Sequence, residues 1–144
     1  MDYSLEVVMV PVTDVDRSLA FYTEQAGFSL DVDYAPSDGF RVVQLTPPGS
    51  ACSVQIGVGL TDAVPGSLRN LHLVVGDVER ARRELAERGV AVGEPRHKSP
   101  TDDWQGGFRP GTDPERRDYA SFFDFADPDD NTWVVQERGF RPVM

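Results

Sequence analysis

Apolar and polar positions change rhythm along this chain, and they do so twice in the same order. Residues 5–12 form a short β-branched run that ends at Thr13-Asp14, residues suited to capping a helix. Val15, Leu19 and Tyr22 then recur at helical spacing, and Gly27 follows as a stop. The pattern predicts a strand and then a helix over residues 14–25. Over residues 28–34, Phe28, Leu30, Val32 and Tyr34 alternate with Ser29, Asp31 and Asp33, the period of a half-buried strand. Pro36-Ser37-Asp38-Gly39 turns the chain. Residues 40–46 and 52–57 flank Pro47-Pro48-Gly49-Ser50, which predicts a hairpin.

After a polar link over residues 60–67 the order repeats. Val75-Gly76-Asp77-Val78-Glu79-Arg80-Ala81 matches Val12-Thr13-Asp14-Val15-Asp16-Arg17-Ser18, 63 positions later. The expected elements are a strand over 68–75, a helix over 78–88, Gly89 as its stop and a strand from 90 to about 97. A last hairpin over 119–125 and 132–137 surrounds Asp127-Pro128-Asp129-Asp130-Asn131. Residues 98–118, rich in Asp, Gly, Pro and Arg, carry Trp104 and Phe108. A loop of that length is expected to be a lid over a site or a mobile insertion, unless its aromatics pack on their own sheet. A strand-helix-strand unit leaves one sheet face bare, so the two copies are expected to share a surface that holds a ligand. The expected organisation is one domain over 1–144, with a first module at 5–59, a linker at 60–67 and a second module at 68–138 interrupted by the insertion 98–118.

Composition narrows the partners. The 144 residues carry a net charge of −10, which repels a phosphate backbone and makes nucleic acid an unsuitable partner. The acidity reads as solubility or as attraction of a cationic ligand. Cys52 is the only cysteine, so no intrachain disulfide forms and the residue reads as a small apolar packer. No signal-like segment opens the chain and no apolar run reaches membrane-spanning length, so a soluble cytoplasmic protein is expected.

Taken together, the tandem β-α-β-β-β order, Val-x-Asp-Val-[Asp/Glu]-Arg after each opening strand, Phe21-Tyr22 in the first helix and Asp127-Pro128-Asp129-Asp130-Asn131 before the last strand resemble the vicinal oxygen chelate superfamily. That group includes glyoxalase I, bleomycin-resistance proteins, extradiol dioxygenases, fosfomycin-resistance enzymes and methylmalonyl-CoA epimerase. The resemblance covers residues 5–138. It implies an α+β fold in which two tandem βαβββ modules form a curved mixed-sheet cup with helices outside, a ligand or metal inside, and pairing of the chain as a homodimer.

Metal-using members supply one ligand, typically His or Glu, from the first and last strands of each module. The resemblance maps those positions onto Val7, Asn70, Val134 and a residue within Ser53-Val54-Gln55. None is His, Asp, Glu or Cys, and an amide suits transition metals poorly. The expectation is therefore a cup without metal or cofactor. A register slip toward His72 or Glu137 keeps open an alternative, a metal-dependent glyoxalase-like lyase or isomerase or an extradiol-type dioxygenase.

Strand alternation turns Leu71, Leu73, Val75, Trp133 and Val135 toward the helices and leaves Asn70, His72, Val74, Thr132, Val134 and Gln136 on the cup side. The repeat relates Gln55 to Gln136, with Ser53 beside it, and Val7 and Met9 to Asn70 and His72. The expected ligand-binding residues are Val7, Met9, Ser53, Gln55, Asn70, His72, Trp104, Phe108, Val134 and Gln136. His72 is the candidate catalytic residue, since its imidazole moves protons near neutral pH; the other reading is a half-buried histidine hydrogen-bonded to a backbone carbonyl or water. Asp127, Asp129 and Asp130 lack the spacing of a calcium loop and read as a turn. Such a lining suits a small or medium organic ligand, cationic or aromatic, held as bleomycin-resistance-type proteins hold theirs.

Overall fold

Two aspartates 63 positions apart give the repeat its physical meaning. In the computed structural model, which describes residues 1–143, Asp14 and Asp77 both stand in extended backbone at a helix start. Asp14 Oδ1 accepts the Arg17 N–H at 3.1 Å, and Asp77 Oδ1 accepts the Arg80 N–H at 3.1 Å. Each carboxylate satisfies a donor that the helix cannot, and its charge complements the helix dipole. The helices are α1 (Val15–Ala20), prolonged by a π-helical turn over Phe21–Gln25, and α2 (Val78–Glu87). Gly27 and Gly89, at φ 80° and 89°, turn the chain out of each helical stretch in the left-handed region that side chains resist.

The fold is α+β with two sheets. Strands β1 (Val7–Met9), β2 (Ser29–Ser37), β3 (Phe40–Thr46) and β4 (Ser53–Val58) form the first sheet, in the order β1-β4-β3-β2. Strands β5 (Leu71–Val75), β6 (Arg96–Lys98), β7 (Phe108–Pro110), β8 (Ser121–Ala126) and β9 (Thr132–Glu137) form the second, in the order β5-β9-β8-β6-β7. Each opening strand lies parallel to the last strand of its sheet, β1 to β4 and β5 to β9, and the other pairs are antiparallel. The second sheet thus copies the first and adds β7 at its edge.

The chain divides into two compact units, residues 1–69 with 127–131, and residues 70–126 with 132 onward. In the first, Val54 and Ile56 of β4 and Val43 and Leu45 of β3 are buried with Val15, Phe21, Tyr22 and Phe28. Burying each such side chain contributes about 1.5–3 kcal/mol. Tyr22, fully buried, donates its hydroxyl to Asp127 Oδ2 at 2.8 Å. Asn131 completes this corner: its Nδ2 donates to Pro11 O and to Asp127 Oδ2, both at 2.8 Å, and its Oδ1 accepts from Leu68 N at 3.1 Å. The acidic motif is a hydrogen-bonded turn.

In the second unit Phe123, Phe125, Trp133 and Val135 are buried with Val78 and Leu85 of α2. Trp133 stacks on Phe125 with ring centroids 6.0 Å apart.

The structure departs from the sequence expectations in four places. β2 is exposed along its whole length. A bulge at Asp31 lets Leu30 pair with Leu45 but Val32 with Gln44, so the apolar alternation does not stay on one face. Asp33 instead takes the helix side, where it meets Arg41. β5 begins at Leu71, because Asn70 has φ 61° and breaks the strand. The strand expected over 90–97 is shorter and later, at β6. Finally, the segment 98–118 contains β7, which pairs with β6 and brings Phe108 opposite Lys98.

Candidate functional site

Each sheet turns one face toward its helix, and on the other face exposed side chains such as Met9 and Val74 stand among buried ones, Ser53, Phe122 and Val134. In the first sheet the helix side is marked by Arg41, which donates to Asp16 Oδ1 of the α1 first turn at 2.8 Å and to both oxygens of Asp33, at 3.0 and 2.9 Å. These hydrogen bonds hold the Asp33 carboxyl below its usual range and raise the Arg41 guanidinium.

The opposite face carries the candidates from this half. Val7 is half-buried and Met9 is 40% exposed. Ser53 is buried, its hydroxyl 2.7 Å from that of Thr46. Gln55 donates Nε2 to Gln44 Oε1 at 2.9 Å. Met9 and Gln55 border an open cavity of about 310 Å³, completed by Gly57, Leu60, Thr61 and Pro65.

In the second sheet the helix side is marked by Glu137, which is fully buried and accepts the Val78 N–H of α2 at 2.9 Å. Arg116 grips the same carboxylate, and that bond, helped by Asp77 and Glu79, raises the guanidinium further above its ordinary value. Glu137 is therefore committed to structure, and the register slip that would make it a metal ligand has no free carboxylate to use.

The face turned away from α2 follows from the register. Val74, Gln136, Phe122 and Arg96 lie in one row across β5, β9, β8 and β6, and His72, Val134 and Asp124 lie in the next. Lys98 pairs with Phe108. His72 is exposed rather than half-buried, and its Nδ1 lies 2.8 Å from the backbone oxygen of Asn70. Asn70, just outside the strand, also donates its backbone N–H to Thr132 Oγ1 at 2.8 Å. Val134 is buried, and Gln136 donates Nε2 to Tyr119 O at 3.0 Å.

Trp104 and Phe108 pack on their own sheet. Their centroids are 5.3 Å apart, and Phe108 meets Phe122 edge-on at 5.6 Å. Sequence reasoning missed the charged members of this group. Arg96 makes a two-pronged bond to Asp124, at 2.8 and 3.1 Å, while its guanidinium carbon lies 4.9 Å from the Phe108 centroid. Lys98 Nζ lies 4.9 Å from the Trp104 centroid and 5.7 Å from that of Phe122. The signal was available as Arg96-His97-Lys98, two cations at strand spacing and so on one face.

The donor chemistry of either face does not fit a catalytic metal. The first sheet offers Val7, Met9, Ser53 and hydrogen-bonded amides, and the second offers one imidazole and a carboxylate already paired with arginine. Among the described residues no group of three or more His, Cys, Asp or Glu side chains is arranged to hold an ion. Nor, among them, is any helix long and apolar enough to cross a membrane.

With this geometry in hand, comparison with known proteins is informative. The profile of the Glyoxalase/Bleomycin resistance protein/Dioxygenase superfamily matches residues 4–135, and this chain belongs to that family. TnmS3, an antibiotic binding protein from Streptomyces sp. CB03234, is 29% identical with a TM-score of 0.71, over 95% of this chain and 97% of its own. A glyoxalase/bleomycin resistance protein from the same organism is 31% identical with a TM-score of 0.67, over 92% of this chain and 99% of its own. A superfamily member from Sphaerobacter thermophilus DSM 20745, 24% identical with a TM-score of 0.70 over 95% of this chain and 98% of its own, shares the fold. No match emerges among curated proteins.

Proposed function

We propose that this chain binds a small or medium organic ligand on the strand faces turned away from its helices, without a metal, and holds it unchanged, as bleomycin-resistance-type binding proteins do. The observation that carries this reading is the side of the second sheet turned away from α2. There Val74, Trp104 and Phe108 are exposed, while the carboxylate beside them, Asp124, is spent on Arg96. Such a face offers contact area and a few hydrogen bonds, the makeup of a binding surface, and little acid-base machinery. Two antibiotic-related relatives of similar length support the same reading.

In this proposal Val7, Met9, Ser53 and Gln55 shape the contacts that the first sheet offers and Asn70, His72, Val134 and Gln136 those of the second, where His72 serves as a hydrogen-bonding group. The protein works in the cytoplasm as a homodimer, with the exposed side chains Leu30, Val32 and Tyr34 of edge strand β2 supplying surface for a second copy. Its mass in solution checks the pairing.

The binding test uses the emission of Trp104, 38% exposed, against the background of buried Trp133. Titration with a panel of aromatic natural products is expected to quench that emission at one-to-one stoichiometry, and chromatography is expected to return the compound intact. Recovery of a chemically altered compound overturns the proposal.

A further inference from the structure

We propose that Lys98, Trp104, Phe108 and Phe122 form a platform that recognises the acidic group of a planar aromatic ligand, a carboxylate or phenolate carried on a ring. The inference rests on the binding reading above and assigns the chemistry of what is bound. It begins with a contrast between net and local charge. The chain carries 24 acidic against 14 basic residues, an excess in which cations readily find carboxylates. Arg41, Arg80, Arg82, Arg96, Arg116 and Arg117 do so, whereas Lys98, the chain's one lysine, is among the cations that form no ion pair among the described residues, and of these it is the one set above aromatic rings of its own sheet.

Geometry explains why that charge is available. Lys98 is half-buried on β6, and its ammonium lies above two ring faces, 4.9 Å from the Trp104 centroid and 5.7 Å from Phe122. Cation–π attraction holds it there, and among the described residues its ammonium makes no hydrogen bond to a protein acceptor, which leaves N–H donors for an anion. The Asp124 carboxylate is engaged at both oxygens by Arg96. The rings are fixed as well. Trp104 Nε1 donates to Gly107 O at 2.6 Å, and Phe108 sits edge-on to both Trp104 and Phe122. Trp104 and Phe108 remain 38% and 42% exposed, so a flat ligand can stack on them with its acidic substituent toward Lys98. A cationic ligand at this place faces Lys98 and Arg96 together, so the expectation drawn from overall acidity reverses here.

The test is isothermal titration of the full chain with three naphthalene probes of matched shape: 2-naphthoate, 2-naphthylmethanol and 2-naphthylmethylammonium. The expected result is that naphthoate binds about tenfold tighter than the alcohol, equivalent to about 1.4 kcal/mol, with the ammonium weakest. In K98M the ratio of naphthoate to alcohol affinity falls to about one, K98R keeps the preference, and W104A weakens all three probes. Circular dichroism of each variant confirms that it is folded. Equal binding of naphthoate and alcohol by the wild type, or a preference that survives in K98M, overturns the inference while leaving the binding reading intact. Failure of these probes together with the natural-product panel overturns both. A naphthoate affinity that drops as protein concentration rises shows a second copy covering the platform, and also overturns it.

Discussion

Arg116 holds the fully buried carboxylate of Glu137 with two nitrogens, Nε to Oε1 at 2.9 Å and Nη2 to Oε2 at 2.6 Å. The same guanidinium reaches Asp77, the cap of α2, at 3.1 Å, and Glu79 at 2.8 Å. One cation thus neutralises the start of a helix and the end of the strand beneath it. Removing it strands a buried charge whose side chain keeps one partner among the described residues, Val78 N. Arg116→Ala is expected to lower stability by about 3–5 kcal/mol, measured by urea unfolding. A loss below about 1 kcal/mol would mean the pair is solvated like a surface one.

The turn at residues 127–131 gives a second prediction. Asn131 is fully buried and uses all of its amide, with two N–H donations and one accepted bond. Asn131→Ala leaves Leu68 N and Pro11 O without these partners and is expected to cost about 2–3 kcal/mol. Tyr22→Phe removes one bond to a carboxylate that keeps others, and is expected to cost about 1–2 kcal/mol. Thermal or chemical unfolding of the two variants checks the order.

Acid titration separates a third interaction. Arg41 holds the Asp33 carboxyl below its unfolded value, which is about 3.9. A depressed carboxylate stabilises the fold above that unfolded value and loses its contribution as pH falls through the folded one. Asp33→Asn is therefore expected to be less stable than the wild type at pH 7, by less than about 1 kcal/mol because the pair is largely solvated. The gap should close in acid below the folded value. Denaturation midpoints at pH 7 and pH 2.5 test this, and a gap that widens in acid contradicts it.

Metal dependence supplies a fourth test. With no free carboxylate or thiolate beside His72, chelator treatment is expected to leave the melting temperature and ligand binding unchanged, and added Zn²⁺, Ni²⁺ or Fe²⁺ should not raise stability. Stoichiometric metal by elemental analysis, lost in His72→Ala, would restore the enzyme alternative.

Much of the fold was legible because its signals are local. An N-cap aspartate, a helical apolar stripe and a following glycine lie close together, from Asp14 to Gly27 and from Asp77 to Gly89, so both copies carry all three. The strand faces were harder to read. The bulge at Asp31 changes which side Val32 occupies, and no residue in that run announces it. Asn70 ends the alternation of β5 through a left-handed backbone whose N–H donates to Thr132 Oγ1 of the neighbouring strand. Glu137 illustrates the same limit: its partner Arg116 is 21 residues away in a segment without periodicity, so sequence could not say that its charge was already spent. The Lys98 platform escaped for a related reason, since β7 is only three residues long and its pairing with β6 exists only in the folded chain.

The added strand also separates what the two halves are free to become. Because β7 joins the sheet at its outer margin, the residues from β6 through β7 can change length and composition without disturbing the parallel pair β5–β9, while Arg116, further along, must stay to hold Glu137 and the cap of α2. The duplicated frame supplies rigidity and the insertion supplies vocabulary. Divergence toward new ligands is thereby channelled into the segment that ends with β7, and a chimera that exchanges it while keeping Arg116 is the natural way to transplant selectivity from one relative to another.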